Sequence, residues 1–126
     1  MGLTRRDLRL VPAAAALAAV ALAVAATAGS AAPVAQTAKA CSPPSYPGSG
    51  YFTSLTVKRV SCRTGRKVTL AHYRCRTKSG PRGRCTHKVL RYSCKERRNS
   101  IPTEIDGRVT CKRGARTVIY TYQQNV

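Results

Sequence analysis

Six cysteines are the feature that most constrains how this chain of 126 residues can fold. Four of them lie in residues 61–94, together with both histidines. In a chain that leaves the cytosol, an even number of cysteines is typical of a disulfide framework. A small domain buries only about 60% of the surface that its unfolded chain exposes, so it needs such cross-links. We therefore expect three disulfides in one small domain.

The first 40 residues have the pattern of a cleaved export signal and linker. Arg5 and Arg6 precede an alanine-rich apolar run, residues 11–28, which is typical of a signal rather than of a permanent anchor. The two adjacent arginines fit either the twin-arginine or the ordinary secretory route. Cleavage could follow Ala28 or Ala40. The sequence thus predicts a protein that is secreted or at the cell-envelope exterior, with no transmembrane segment in the mature chain.

Net charge is the strongest indication of function. The whole chain carries +19, and removing residues 1–40 takes away four basic residues and one acidic residue, which leaves +16 on 86 residues. This charge attracts polyanions and exceeds what solubility requires, although a solvated surface remains the alternative. The expected partners are anionic polymers, namely cell-wall polysaccharide, anionic lipid headgroups or nucleic acid. We expect a monomeric binding module with no enzymatic activity and no cofactor.

The basic residues are concentrated in residues 63–98. Binding to a polyanion would proceed by release of the counterions that the polymer holds. The predicted binding residues are Arg63, Arg66, Lys67, Arg74, Arg76, Arg82, Arg84, Lys88 and Arg91.

Residues 51–126 are predicted to form the domain, preceded by an arm rich in proline, glycine and serine, residues 41–50. Apolar and polar residues alternate in residues 52–60, which indicates a half-buried strand. Residues 61–74 fit either a helix capped by Ser61 or a strand, which leaves an all-β fold as the alternative. The remaining predicted elements are a loop at residues 77–83, a strand at 87–93, a polar loop at 95–106 and a hairpin of strands 107–112 and 117–122.

Three segments carry a resemblance to a known group of proteins: CRTGRKVTLAHYRC, RCTHKVLRYSC and RVTCKRGARTVIYTY. Their order resembles that in a group of small exported proteins of high-GC Gram-positive bacteria, which have a Ser-Cys helix start and a later Cys-x-Arg-Gly turn, here residues 111–114. The resemblance covers residues 51–122. It implies an α+β fold in which a helix at residues 61–74 packs on a small antiparallel sheet, in the order strand, helix, strand, strand, strand. The group supplies no function.

Six cysteines allow fifteen connectivities. Cys75 and Cys85 bound one loop and are expected to close it. If a crossover helix returns the chain along the sheet, Cys62 and Cys94 fall at the same end. The predicted disulfides are then Cys75–Cys85, Cys62–Cys94 and Cys41–Cys111, the last tying down the arm.

Both histidines lie close in sequence to cysteines. The pattern HxxC followed by CxH, formed by His72, Cys75, Cys85 and His87, offers two imidazoles and two thiols, a set that zinc accepts. Thiols outside the cell are usually oxidised, so the prediction is a disulfide with two surface histidines and no metal.

Two further functions remain as alternatives. His72 and His87 could serve as the acid and base of a small secreted ribonuclease, with Lys67, Arg74 or Lys88 stabilising the phosphorane charge. The polar loop at residues 95–106 could instead present Arg97 or Arg98 to a trypsin-like protease, as an inhibitor does.

Overall fold

A computed structural model describes Gly29 and residues 37–126. Residues 1–28, which contain the apolar run of the predicted signal, lie outside the described residues, so the cleavage position predicted after Ala28 is not tested. Residues 37–126 belong to one compact unit. Within this described part, no helix is both long enough and apolar enough to cross a membrane.

One helix packs on a five-stranded antiparallel sheet, so the fold is the predicted disulfide-linked α+β class and not the all-β alternative. The sheet order is β1-β2-β5-β4-β3, with the helix against β2 and β5. The elements are β1 (Lys39–Cys41), β2 (Gly50–Lys58), α1 (Cys62–Thr77), β3 (Ser93–Ile101), β4 (Glu104–Arg113) and β5 (Arg116–Asn125).

The packed domain begins before residue 51, because β1 pairs with residues 55–57 of β2. The arm that follows β1 also contributes to the core, where the Tyr46 ring lies 4.7 Å from the Phe52 ring. Cleavage after Ala40, the second predicted position, would divide β1.

Helix α1 forms although its sequence contains the poor helix formers Gly65 and Thr69. Ser61 caps it, accepting a hydrogen bond from the Thr64 amide at 3.1 Å. Gly65 lies against Val57 of β2, where a Cβ would come within 2.5 Å of a Val57 methyl group. The helix therefore packs closely on the sheet at this residue, and that packing outweighs its low intrinsic propensity.

Strand alternation gives the sheet one buried face and one open face. Residues Leu55, Val57, Val109, Val118 and Tyr120 lie on the buried face beneath the helix, each no more than 2% exposed. The intervening residues of β3, β4 and β5 face solvent or are half-buried. The open face therefore presents a broad surface that no other described element covers.

The strand predicted at residues 87–93 is wrong, and so is the polar loop predicted at 95–106. Most of that loop is β3, the edge strand paired with β4 along its full length. The sequence of β3 is typical of a loop because its inward positions are polar, with Glu96 and Arg98 where apolar residues are expected. Charged residues on an edge strand also oppose pairing with other chains.

The protease-inhibitor hypothesis required an exposed loop at residues 95–106, and most of this segment is strand β3. Arg97 and Arg98 belong to a hydrogen-bonded strand. The Arg98 side chain is only 6% exposed and forms an ion pair with Glu96 at 3.1 Å.

All six cysteines form disulfides, as expected. Cys75–Cys85 is the predicted pair. The other two predictions are wrong, since the bonds are Cys41–Cys62 and Cys94–Cys111. Residues 94 and 111 are direct partners in the β3–β4 register, and a sequence that predicts a loop at residues 95–106 does not predict this register. Strand β1 then places Cys41 beside the start of the helix and therefore beside Cys62.

Candidate anion-binding surface

Arg76, one of the predicted binding residues, is fully buried. Its guanidinium lies over the Tyr122 ring at 3.9 Å, and its Nη2 donates to Tyr46 Oη and to Gln124 Oε1, both at 2.8 Å. Residue 76 falls four positions after buried His72, on the inner side of α1. Arg76 therefore belongs to the core and is not available to a ligand.

Glu96 supplies negative charge to this core. It forms an ion pair with Arg98 and accepts a hydrogen bond from the Tyr122 hydroxyl. Burial alone would raise the pKa of Glu96, but these two interactions with Arg98 and Tyr122 hold its pKa below the usual value. Burial and the bond to Glu96 raise the pKa of Tyr122 to about 12. One of only three acidic residues after residue 40 is thus committed to the interior.

Three other predicted binding residues make contacts within the protein. Arg66 donates to the Ser42 carbonyl at 3.3 Å, Arg82 donates to the Pro102 carbonyl at 2.5 Å, and Arg84 lies 4.0 Å from Glu96. The remaining predicted residues are exposed, and they are Arg63, Lys67, Arg74, Lys88 and Arg91.

A cavity of about 400 Å³ opens where α1, the β4–β5 turn and the segment before β3 meet. We call it the arginine pocket. Buried Val68 and Tyr92 contribute apolar walls. Its four cations are Arg59, Lys67, Arg113 and Arg116, and no acidic residue of the described chain lines it. Among the described residues, none of these four forms an ion pair within 4.0 Å.

Two of the pocket cations are held directly opposite each other. Arg113 and Arg116 are cross-strand partners on either side of the β4–β5 turn. Like charges in this relation are destabilising. Gly114 permits the turn, since its φ is 57°. The pair therefore costs stability, and an anion bound between the two guanidinium groups would remove that cost.

Backbone in an uncommon conformation occurs in the lining of the arginine pocket, at Arg59 and Leu90, and at the adjacent Arg91. Arg59, Leu90 and Arg91 have φ values of 56°, 46° and 66°. Leu90 and Arg91 are the central residues of a tight turn closed by two hydrogen bonds between Val89 and Tyr92. Positive φ at both central residues is usually met by Asn-Gly. Such strain is concentrated at functional sites, and here it holds Leu90 exposed beside the cations.

A second group of cations lies on the open face of the sheet. Arg97 of β3 and Arg108 of β4 are direct cross-strand partners. With Lys95 and Thr110 they line a cavity of about 240 Å³, which we call the sheet-face groove. The described residues contain no ion pair to any of its three cations within 4.0 Å.

The two histidines do not form a common site. His72 is 1% exposed, and its Nδ1 lies 2.5 Å from Tyr120 Oη in a hydrogen bond. His87 is exposed, with Nε2 3.5 Å from Cys75 Sγ. Because substrate has no access to His72, the pair cannot act as the acid and base of a ribonuclease. The zinc set fails as well, because its two thiols are joined in the Cys75–Cys85 disulfide.

Burial lowers the pKa of His72 to about 4. The unfolded chain, with an ordinary histidine pKa near 6.5, then binds a proton first as the pH falls. We expect the free energy of unfolding to be highest above pH 6.5 and to fall by roughly 3 kcal/mol between pH 6.5 and 4. Urea unfolding across this range measures the change. His72→Asn removes the titrating group, and an unchanged pH dependence in that variant would assign the effect to other residues.

Comparison with known proteins identified no relative of this chain. No family model, curated protein or solved structure matches this chain. The arginine pocket and the sheet-face groove are therefore identified as candidate sites from their geometry alone.

Of the predicted binding residues, only Lys67 lines the arginine pocket, and none lines the sheet-face groove. The prediction followed charge density along the chain, whereas the fold builds each site from separate segments. One signal was present in the sequence: Arg113 and Arg116 flank a two-residue turn, which places both on the same face of a hairpin.

Proposed function

We propose that this protein is a secreted, non-enzymatic module that binds anionic polymers at the cell envelope or outside the cell. The observation that carries the proposal is the arginine pocket, where Arg59, Lys67, Arg113 and Arg116 line one cavity with no acidic residue among the described residues around it. Three disulfides are compatible with the oxidising conditions outside the cell.

The positions of the acidic residues support the same conclusion. Glu96 pairs inside the protein, and Glu104 and Asp106 lie at the start of β4, whereas Arg113 ends that strand. Within the described part of the chain, the pocket cations consequently have no acidic partner. Arginine offers planar, bidentate donors to phosphate, sulfate or carboxylate, so the polymer's anionic groups can be held directly.

A pair of matched variants tests the location of binding. Arg113→Gln with Arg116→Gln removes two pocket cations, and Arg63→Gln with Arg74→Gln removes two exposed cations of α1 outside the pocket. The probe is long-chain inorganic polyphosphate. We expect the pocket variant to bind more weakly than the control variant, with the salt slope reduced by about 0.7–0.9 for each phosphate that is no longer neutralised.

The free energy of unfolding distinguishes a binding role of Arg113 and Arg116 from a structural one. Removing the opposed Arg113–Arg116 pair should leave the free energy of unfolding unchanged or raise it by about 0.2–1 kcal/mol. Equal loss of affinity in both double variants would show that binding does not centre on the pocket. Failure of the unmodified protein to bind at low salt would overturn the proposed function itself.

A further inference from the structure

The arginine pocket and the sheet-face groove lie on opposite faces of one sheet. Arg113 belongs to the pocket and Arg108 to the groove, and both are on β4. They are five residues apart, an odd spacing, so their side chains point to opposite faces of the strand. The burial pattern agrees, because Gly107 and Val109 on either side of Arg108 are buried.

Both sites share one construction. Each contains two arginines that are direct cross-strand partners, Arg113 with Arg116 and Arg97 with Arg108. Each adds a lysine, Lys67 in the pocket and Lys95 in the groove. Like-charge partners are unfavourable in a sheet, and their occurrence on both faces is a local conflict of the kind that functional sites retain.

We propose that one molecule holds two anionic segments at once, one in the arginine pocket and one in the sheet-face groove, and so cross-links anionic polymer chains. This inference rests on the proposed function. Five residues of strand separate Arg108 from Arg113, roughly 17 Å along the chain. That exceeds the Debye length of about 8 Å at physiological ionic strength, so two bound segments would repel each other weakly.

Stoichiometry provides the first test, with inorganic tripolyphosphate as a probe too short to reach both sites. Calorimetry at low salt should give two bound anions per unmodified chain. We expect one anion for Arg113→Gln with Arg116→Gln, and one for Arg97→Gln with Arg108→Gln. The Arg63→Gln with Arg74→Gln control should retain two. A single anion on the unmodified protein would overturn the cross-linking inference and leave the arginine pocket in place.

A bridging assay tests the function directly. Long-chain polyphosphate fixed to a surface captures the protein, and a labelled second polyphosphate chain is then added. The unmodified protein and the α1 control variant should retain the labelled chain, whereas each of the other double variants should bind the surface and lose most of the label. Equal retention by all variants would contradict the two-site account, as would retention that occurs only with dimers in analytical ultracentrifugation. Absence of any surface binding would instead reject the proposed function.

Discussion

Replacing Glu96 with glutamine should lower the free energy of unfolding by about 3 kcal/mol, the cost of removing one partner from a buried ion pair. Arg98 would lose its ion pair, and the fully buried Arg76 would lose a nearby negative charge. The amide keeps the size of the side chain, so the loss reports charge rather than packing. Chemical denaturation at pH 7 measures it.

Asp106→Asn is the matched control, because it removes the same charge from an exposed position on β4. Its effect should remain within about 0.5 kcal/mol. The depressed pKa of Glu96 adds a second readout. A lowered folded-state pKa stabilises the protein above the unfolded pKa, and this stabilisation is lost as the pH falls through the folded value. The Glu96→Gln variant should not show this loss of stability at low pH. Equal decreases in the free energy of unfolding for Glu96→Gln and Asp106→Asn would contradict a buried charge network at Glu96.

A methyl group at Gly107 should be nearly as damaging, with an expected loss of about 3 kcal/mol. Gly107 faces Tyr122 across the β4–β5 pair, and a Cβ at residue 107 would overlap the Tyr122 ring. The ring cannot move aside easily, because Arg76 covers it and its hydroxyl is bonded to Glu96. Thermal and urea unfolding of Gly107→Ala measure the loss.

Gly114→Asn is the control for the loss of a glycine. Gly114 has a positive φ, which asparagine tolerates, and apart from residues 113–115 no atom of the described residues lies within 4 Å of the position that a Cβ would take there. Its cost should stay below about 1 kcal/mol. A Gly107→Ala variant as stable as Gly114→Asn would mean that Tyr122 is free to shift, and would contradict the rigid packing described for Arg76.

Local patterns predicted much of the fold. Alternation of residues identified β2 and the last hairpin. Residues 61–74 fitted either a helix or a strand, and the helix was expected only from the resemblance. Strand β3 was missed because its inward residues Glu96 and Arg98 are charged. They pair with each other, and their remaining partners are Tyr122 of β5 and the carbonyls of residues 82 and 83. The two wrong disulfides follow from that single error together with the unrecognised strand β1.

The candidate sites were less predictable than the fold, for a physical reason. Charge density along the chain identified a basic segment, but burial removed Arg76 from the surface and hydrogen bonds within the protein engaged Arg66 and Arg82. Each cation cluster joins residues distant in sequence, and strand register decides which ones meet. Register in turn depends on β3, so the Arg97–Arg108 pair could not be predicted without that strand.

The salt dependence of binding tests the central claim most directly. Affinity of the mature, oxidised protein for long-chain polyphosphate would be measured between about 50 and 200 mM NaCl. Release of counterions by the four pocket cations predicts a linear fall of log K with log salt, with a slope of at least about 3 in magnitude. No binding at the lowest salt, or an affinity that salt leaves unchanged, would contradict a function based on anionic polymers.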